Sequence, residues 1–279
     1  MSAKPLVEPQ RSWKATVTRI AKAAGVERVN RTIVITGAGE GLGRALARRL
    51  AADGETIVLL GRTLAKLDAV IAEIGGGAHL ALACDVGDPD AVRAAFAAIA
   101  ARFARIDVLI NNAAIYEPFS LAEAEDAKIL VQANTNLLGP IWCARAAVPL
   151  LRASGGAKGG HLVNISSESV HLRMPMLWMY AGTKAGLEYM TREWARDLAP
   201  DGIRVSLISA GMMYDESKTA NNWPPEAAMR FVQENHKVGL PVGQMPISHY
   251  DSAAEAIRAI LNTPADINMG YVQLAASRP

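Results

Sequence analysis

The sequence predicts an α/β fold, a doubly wound and mostly parallel sheet of seven strands with helices on both faces. Three observations carry this. From residue 31 onward, short apolar runs alternate with longer helical stretches. The runs are apolar and β-branched at nearly every position, as in strands buried on both sides. Four glycines in seven positions, Gly37 to Gly43, separate the first run from the first helix, where an open α/β sheet faces its ligand.

The runs 32–36, 56–60, 80–84, 107–111, 161–166, 203–209 and 271–274 are read as strands. The stretches 42–53, 64–74, 88–104, 125–152, 178–199 and 249–262 have helical spacing. Unbroken strand–helix alternation requires a parallel sheet, and right-handed crossovers then make it doubly wound. "SGGAKGG" (154–160) is a loop, and the Met-, Trp- and Pro-rich segment 211–248 is an insertion before the last helix, expected to act as a lid. Residues 31–279 are therefore read as one domain. Residues 1–30 differ: Trp13, Val17, Ile20 and Ala24 recur at helical spacing, with Lys14, Arg19 and Lys22 among them. Glu8 and the missing apolar h-region speak against a targeting peptide, leaving an N-terminal amphipathic extension.

Composition narrows the function. Hydrophobic residues make up 51% of the 279 and charged ones 20%, enough to bury a core. Net charge is +2, from 29 basic and 27 acidic residues, which argues against a nucleic-acid surface. Cys84 and Cys143 lie far apart, and the five histidines (79, 161, 171, 236, 249) are scattered, so neither a metal centre nor a disulfide framework is expected. A reducing cytoplasm fits this cysteine usage. No apolar run approaches the ~18 residues of a membrane-spanning helix, so no membrane partner is expected.

The glycine turn "TGAGEGLG" (36–43) has the spacing T-G-x-x-x-G-x-G rather than G-x-G-x-x-G. Glycines there keep side chains away from a pyrophosphate, while the following helix offers its first N–H groups. Further landmarks come in order: "NNAA" (111–114), "NTNLLG" (134–139), "VNISS" (163–167) and "YAGTK" (180–184). Together they resemble the short-chain dehydrogenase/reductase family over about residues 31–275. The resemblance implies a Rossmann fold and a nicotinamide cofactor. It places Thr36, Gly37, Gly39, Glu40, Gly41, Leu42 and Gly43 at the dinucleotide turn.

Tyr180 and Lys184, four apart at a helix start, share one face. Ser167 lies thirteen residues before Tyr180, where the family's active-site serine would be. An unperturbed tyrosine is a poor base at neutral pH, and a nearby ammonium is expected to lower its pKa. Ser167 would hydrogen-bond the substrate oxygen. The resemblance implies that Lys184 also touches the nicotinamide ribose. It implies too that Asn136, in a mid-helix position where Asn is disfavoured, holds a proton-relay water. The expected catalytic set is Asn136, Ser167, Tyr180 and Lys184.

The second strand ends "IVLLGRTLAK" with no carboxylate to grip a ribose 2′-hydroxyl. Gly61 stands where the family's NAD-selecting acid would be, and Arg62 and Thr63 follow. A guanidinium there suits a 2′-phosphate, so NADP(H) is favoured. Glu40 would repel that phosphate, which keeps NAD(H) as the alternative. Asp85 and Val86 resemble the pair that flanks adenine. Asn112, Ala113, Ala114, Ala210, Gly211 and Met213, with Tyr180 and Lys184, complete the implied cofactor contacts.

Around the expected nicotinamide the chain is apolar. Met174, Met176, Leu177 and Trp178 precede Tyr180, and Met212, Met213, Tyr214, Trp223, Met229, Phe231 and Met245 lie in the insertion. Met174, Trp178, Met212 and Trp223 are the expected substrate contacts, for a hydrophobic carbonyl or alcohol. Several positions depart from the family pattern. Ala114 replaces the last glycine of N-N-A-G, Ala210 a proline, and Asp215 a threonine. Helices 125–152 and 178–199 are the expected face of a homodimer or homotetramer. The reading is an NADP(H)-dependent oxidoreductase interconverting a ketone or aldehyde and an alcohol. Its rivals are an NAD-dependent alcohol dehydrogenase and a non-catalytic dinucleotide sensor.

Overall fold

In the computed structural model, residues 30–154, 159–215 and 223–277 are described. The expected N-terminal extension and part of the expected lid (216–222) lie outside them. Seven strands form one sheet: β1 (Thr32–Thr36), β2 (Thr56–Gly61), β3 (Leu80–Ala83), β4 (Val108–Asn111), β5 (His161–Ser167), β6 (Arg204–Ala210) and β9 (Tyr271–Leu274). Their order is β3-β2-β1-β4-β5-β6-β9, and all six pairings are parallel. The sheet is thus wholly rather than mostly parallel. The order reverses at β1, which pairs Val34 with Val58 on one side and with Leu109 on the other. A crevice opens above that reversal at the strands' carboxyl ends.

Strand periodicity splits the core in two. Ile33, Ile35, Ile57, Leu59 and Ile110 face one layer with Leu46 and Leu50 of helix α1 (Gly41–Ala51). Ala254 and Ile257 of α9 (Tyr250–Leu261) belong to the same layer. Val34, Val58, Leu60 and Leu109 face the other. It holds Val92 and Phe96 of α3 (Pro89–Arg102), and Cys143 and Ala147 of α5 (Gly139–Arg152). Buried on both faces, such strands need no polar alternation, which is why they read as continuous apolar runs. Helix α2 (Leu64–Ile74) follows β2, and α7 (Trp178–Asp197) follows β5 after a short turn, α6 (Ser169–Leu172).

The expected helix 125–152 is not one uniform α-helix. It comprises α4 (Asp126–Ala133), a π-turn over Asn134–Leu138, and α5. Pro140 has no N–H to return to Asn136, so the ladder widens there. The insertion contains regular structure that the sequence pattern did not reveal. It holds α8 (Pro225–Lys237), with proline at its first position, and a small parallel pair, β7 (Met213–Tyr214) with β8 (Ser248–His249). No helix among the described residues is long and apolar enough to cross a membrane.

Candidate active site

Gly37 turns the chain out of β1 with φ +65°. A Cβ there would sit 2.8 Å from the Ala113 Cα, so the turn and the end of β4 touch backbone to backbone. A Cβ on Gly43 would overlap the Gly37 carbonyl oxygen. The Thr36 hydroxyl accepts N–H groups from Asn112 (2.9 Å) and Ala113 (3.0 Å), and Asn112 Nδ2 donates to the Thr36 carbonyl (2.9 Å). Helix α1 begins at this turn with no side-chain cap and no acidic residue in its first turn. Its free N–H groups and positive end therefore face the crevice, a ready anion site.

The crevice is a cleft of about 860 Å³, within the range of small-molecule sites. One end is lined by Gly61, Arg62, Thr63, Asp85 and Val86, and the middle by Gly37, Gly39, Glu40, Gly41, Leu42, Asn112, Ala113 and Ala114. The far end holds Ser167, Tyr180, Lys184, Ala210, Gly211, Met212, Met213, Met174 and Trp223. These predicted residues, dispersed over 187 positions from Gly37 to Trp223, meet in one cavity because the parallel strands all end there.

Four predicted residues do not line it. Thr36 and Gly43 lie beneath the turn and shape it from below. Asn136 is fully buried in the π-turn, where Oδ1 accepts the Ile115 N–H (2.8 Å) and Nδ2 donates to the Ile115 carbonyl (2.7 Å). Its amide holds Ile115 and Tyr116 at the cleft wall. Trp178 points the other way, its indole donating to the Phe119 carbonyl (3.1 Å) and standing edge-on to the Phe119 ring. It packs α7 against Phe119 and does not line the cleft.

The electrostatics of the catalytic end differ from expectation in one respect. Burial pushes the Tyr180 hydroxyl up to about 12; a hydrogen bond with Ser167 opposes this, and Tyr116 adds to it. The lysine does not reverse the shift. Lys184 is buried, its Nζ donates to the Ile165 carbonyl (2.8 Å) and lies 5.9 Å from the Tyr180 ring centre, and burial holds it down to about 8. Desolvation of a phenolate outweighs a cation at that range.

Among the cleft residues that sequence reasoning did not assign to the site, four bear on its chemistry. Lys66 of α2 forms an ion pair with Glu40 at 2.6 Å. Tyr116 stacks obliquely on Tyr180 (centroids 5.7 Å) and edge-on against Trp223 (5.3 Å), whose indole donates to the Tyr116 carbonyl (2.8 Å). Tyr250 opens α9 with its ring atoms 3.3 Å from a Cβ placed on Gly41. Glu168 follows Ser167 and accepts the Met212 N–H (3.0 Å). Only Glu168, adjacent to a motif serine, carried a signal in the sequence.

A profile described as short chain dehydrogenase matches residues 31–226. The chain belongs to the short-chain dehydrogenase family. Carbonyl reductase family member 4 of Danio rerio is 30% identical over 233 residues, covering 84% of this chain and 90% of its own length. Meso-2,3-butanediol dehydrogenase of Serratia marcescens is 31% identical over 214 residues, 76% and 80% of the two chains. A short-chain dehydrogenase from Streptomyces avermitilis superposes with a TM-score of 0.76 at 28% identity, covering 89% of each chain. A metagenomic short-chain oxidoreductase in complex with NADP gives 0.71 at 26%, covering 89% and 98%. This short-chain dehydrogenase is accordingly an NAD(P)-dependent oxidoreductase. Its turn with glycine at 37, 39, 41 and 43, its uncapped helix and its long cleft fit a dinucleotide.

Proposed function

We propose that the protein interconverts a ketone or aldehyde and an alcohol on a hydrophobic substrate, with NADP(H) as cofactor and Tyr180 as proton carrier. The observation that carries this is the convergence of Ser167, Tyr180 and Lys184 at the apolar end of the glycine-turn cleft. The nicotinamide, when bound, supplies or accepts the hydride. Ser167 donates a hydrogen bond to the substrate oxygen, and Tyr180, held protonated by burial, gives its proton to the developing alkoxide. Lys184, cationic at neutral pH, stabilises the phenolate that remains until Tyr180 takes a proton back from solvent. Met174, Met212, Trp223 and Tyr116 exclude water around the reacting carbon. Helix α8 supports the lid reading: its Phe231 meets Trp223 edge-on at 5.3 Å above this end.

The case for NADP(H) is stronger with Lys66 in view. Glu40, the residue that would repel a 2′-phosphate, is paired with the Lys66 ammonium, and no ion pair engages Arg62 among the described residues. Two cations, Arg62 and Lys66, thus flank the adenosine end, where Glu40 is paired with Lys66 and Asp85 accepts the Gly87 N–H. The metagenomic relative bound to NADP supports the same preference. Exposed Leu130, Val131 and Tyr189 on α4 and α7 support self-association, which sedimentation would measure.

The test is a fluorescence titration with NADPH and NADH, followed by assay of Tyr180→Phe. NADPH should bind at least tenfold more tightly, and the variant should bind it while losing turnover. Tighter NADH binding would favour the NAD reading; a Tyr180→Phe protein with full turnover would refute the mechanism. Binding without any turnover in the wild type would favour a dinucleotide sensor.

A further inference from the structure

We propose that Glu168 is a substrate-recognition residue, and that the substrate is an apolar carbonyl or alcohol compound carrying a hydroxyl or ammonium donor near its reacting carbon. This rests on the carbonyl–alcohol chemistry proposed above and names the class of molecule that uses it.

Glu168 is half-buried and lines the cleft directly after Ser167, at the end where Tyr180 lies. Its Oε1 is taken by the Met212 N–H at 3.0 Å. Its Oε2 has no hydrogen bond among the described residues. That oxygen stands beside Gly211, where a Cβ would come within 3.1 Å of it. The same cleft is lined by Met174, Leu177, Tyr116, Trp223 and Phe231.

The other charged groups lining the cleft are accounted for elsewhere. Lys66 and Glu40 pair with each other, and Lys184 bonds the Ile165 carbonyl. Asp85 accepts the Gly87 N–H at 2.8 Å, and Arg62 lies at the adenosine end. Glu168 is thus the one carboxylate that the described residues place in the apolar end. A carboxylate partly withdrawn from water is unfavourable unless its oxygens are bonded, and burial raises the Glu168 pKa accordingly. Fixing the Gly211–Met212 turn requires one acceptor, which a neutral glutamine would supply. The second, charged oxygen is matched by a donor that enters with the substrate. A hydroxyl would give a charge-assisted hydrogen bond and an ammonium an ion pair, each within reach of Ser167 and Tyr180.

Three ketones of one shape test this with NADPH: acetophenone, 2-hydroxyacetophenone and 2-aminoacetophenone. The wild type should favour the donor-bearing ketones by about 10- to 100-fold in kcat/KM, mainly through KM. The readout is the ratio of each donor-bearing ketone to acetophenone in Glu168→Gln and Glu168→Ala. NADPH quenching of tryptophan fluorescence verifies that each variant is folded. In Glu168→Ala both ratios should fall at least tenfold. In Glu168→Gln, whose one amide oxygen stays on the Met212 N–H, the amino ratio should collapse, while part of the hydroxyl ratio survives because Nε2 can donate to the hydroxyl oxygen. Turnover of all three ketones without discrimination by the wild type would overturn the proposal alone. So would a uniform loss in both variants with ratios unchanged, which would make Glu168 a strut for Met212. Wild-type protein that binds NADPH yet turns over none of the three, nor their alcohols with NADP, would instead overturn the carbonyl reading beneath it.

Discussion

Lys184→Met is the substitution whose consequences the structure quantifies best. The ammonium is buried, and its pKa falls from 10.5 to about 8 for one cause, loss of water. At about 1.4 kcal/mol per tenfold, that difference means the folded protein holds a charge at a cost of about 3 kcal/mol. Methionine fills much the same volume without the charge. Against this, the bond to the Ile165 carbonyl is lost, worth about 1 kcal/mol. The variant should therefore be about 2 kcal/mol more stable at pH 7 while losing turnover, and melt about 4–8 °C higher. The pH dependence identifies the cause. Below pH 8 the lysine is protonated folded and unfolded, so the cost is fully present. Between pH 8 and 10.5 the folded state sheds its proton first, and wild-type stability from this group rises with pH. The two proteins should therefore converge by about pH 10. Urea unfolding of both at pH 7 and pH 10 measures this. A variant less stable than wild type at pH 7, or a gap that ignores pH, would refute the assignment of the shift to burial.

Gly43→Ala should destabilise by about 1–3 kcal/mol and abolish NADPH quenching, because its methyl group would displace the Gly37 carbonyl. Gly182→Ala, two residues past Tyr180 in α7, has nothing within 4 Å of the new methyl and should stabilise by about 0.5–1 kcal/mol in thermal melts. Arg62→Glu should reverse the proposed cofactor preference, and an unchanged NADPH-to-NADH ratio of dissociation constants would remove Arg62 from the phosphate site. Trp178→Ala should lower the melting temperature through loss of the Phe119 contacts while leaving KM within about twofold.

The fold was legible because its strands are buried on both faces: an apolar run such as 32–36 has few other places to go. The glycine turn and the Tyr180–Lys184 pair could be read from local spacing, one at a strand end and the other on one face of a helix, and Ser167 joins them in the cleft from the end of β5. What the pattern did not reveal has a common cause. Lys66 reaches Glu40 across 26 residues, the Trp223 indole reaches the Tyr116 carbonyl across 107, and Tyr250 closes on Gly41 from the last helix. Such partners are set by the lengths of loops and helices, which carry no periodicity. Trp178 lies outside the cleft for the complementary reason. Neighbourhood to Tyr180 in sequence suggested the cleft, but helix positions two apart point about 200° away from each other, and that turn sends the indole to Phe119.

The pKa of Tyr180 bears on direction. An ammonium that lowered it to neutrality would make the phenol an equally good acid and base near pH 7. The protein instead keeps Tyr180 near 12 and Lys184 near 8, both displaced towards their uncharged forms by the same loss of water. Under the proposed chemistry that arrangement presents a proton donor at neutral pH, which carbonyl reduction requires, and makes alcohol oxidation wait for alkaline conditions or for the positive charge of an oxidised nicotinamide. In that proposal Lys184 would accommodate the phenolate once the proton has left, so its contribution would belong to the transition state rather than to the resting acid.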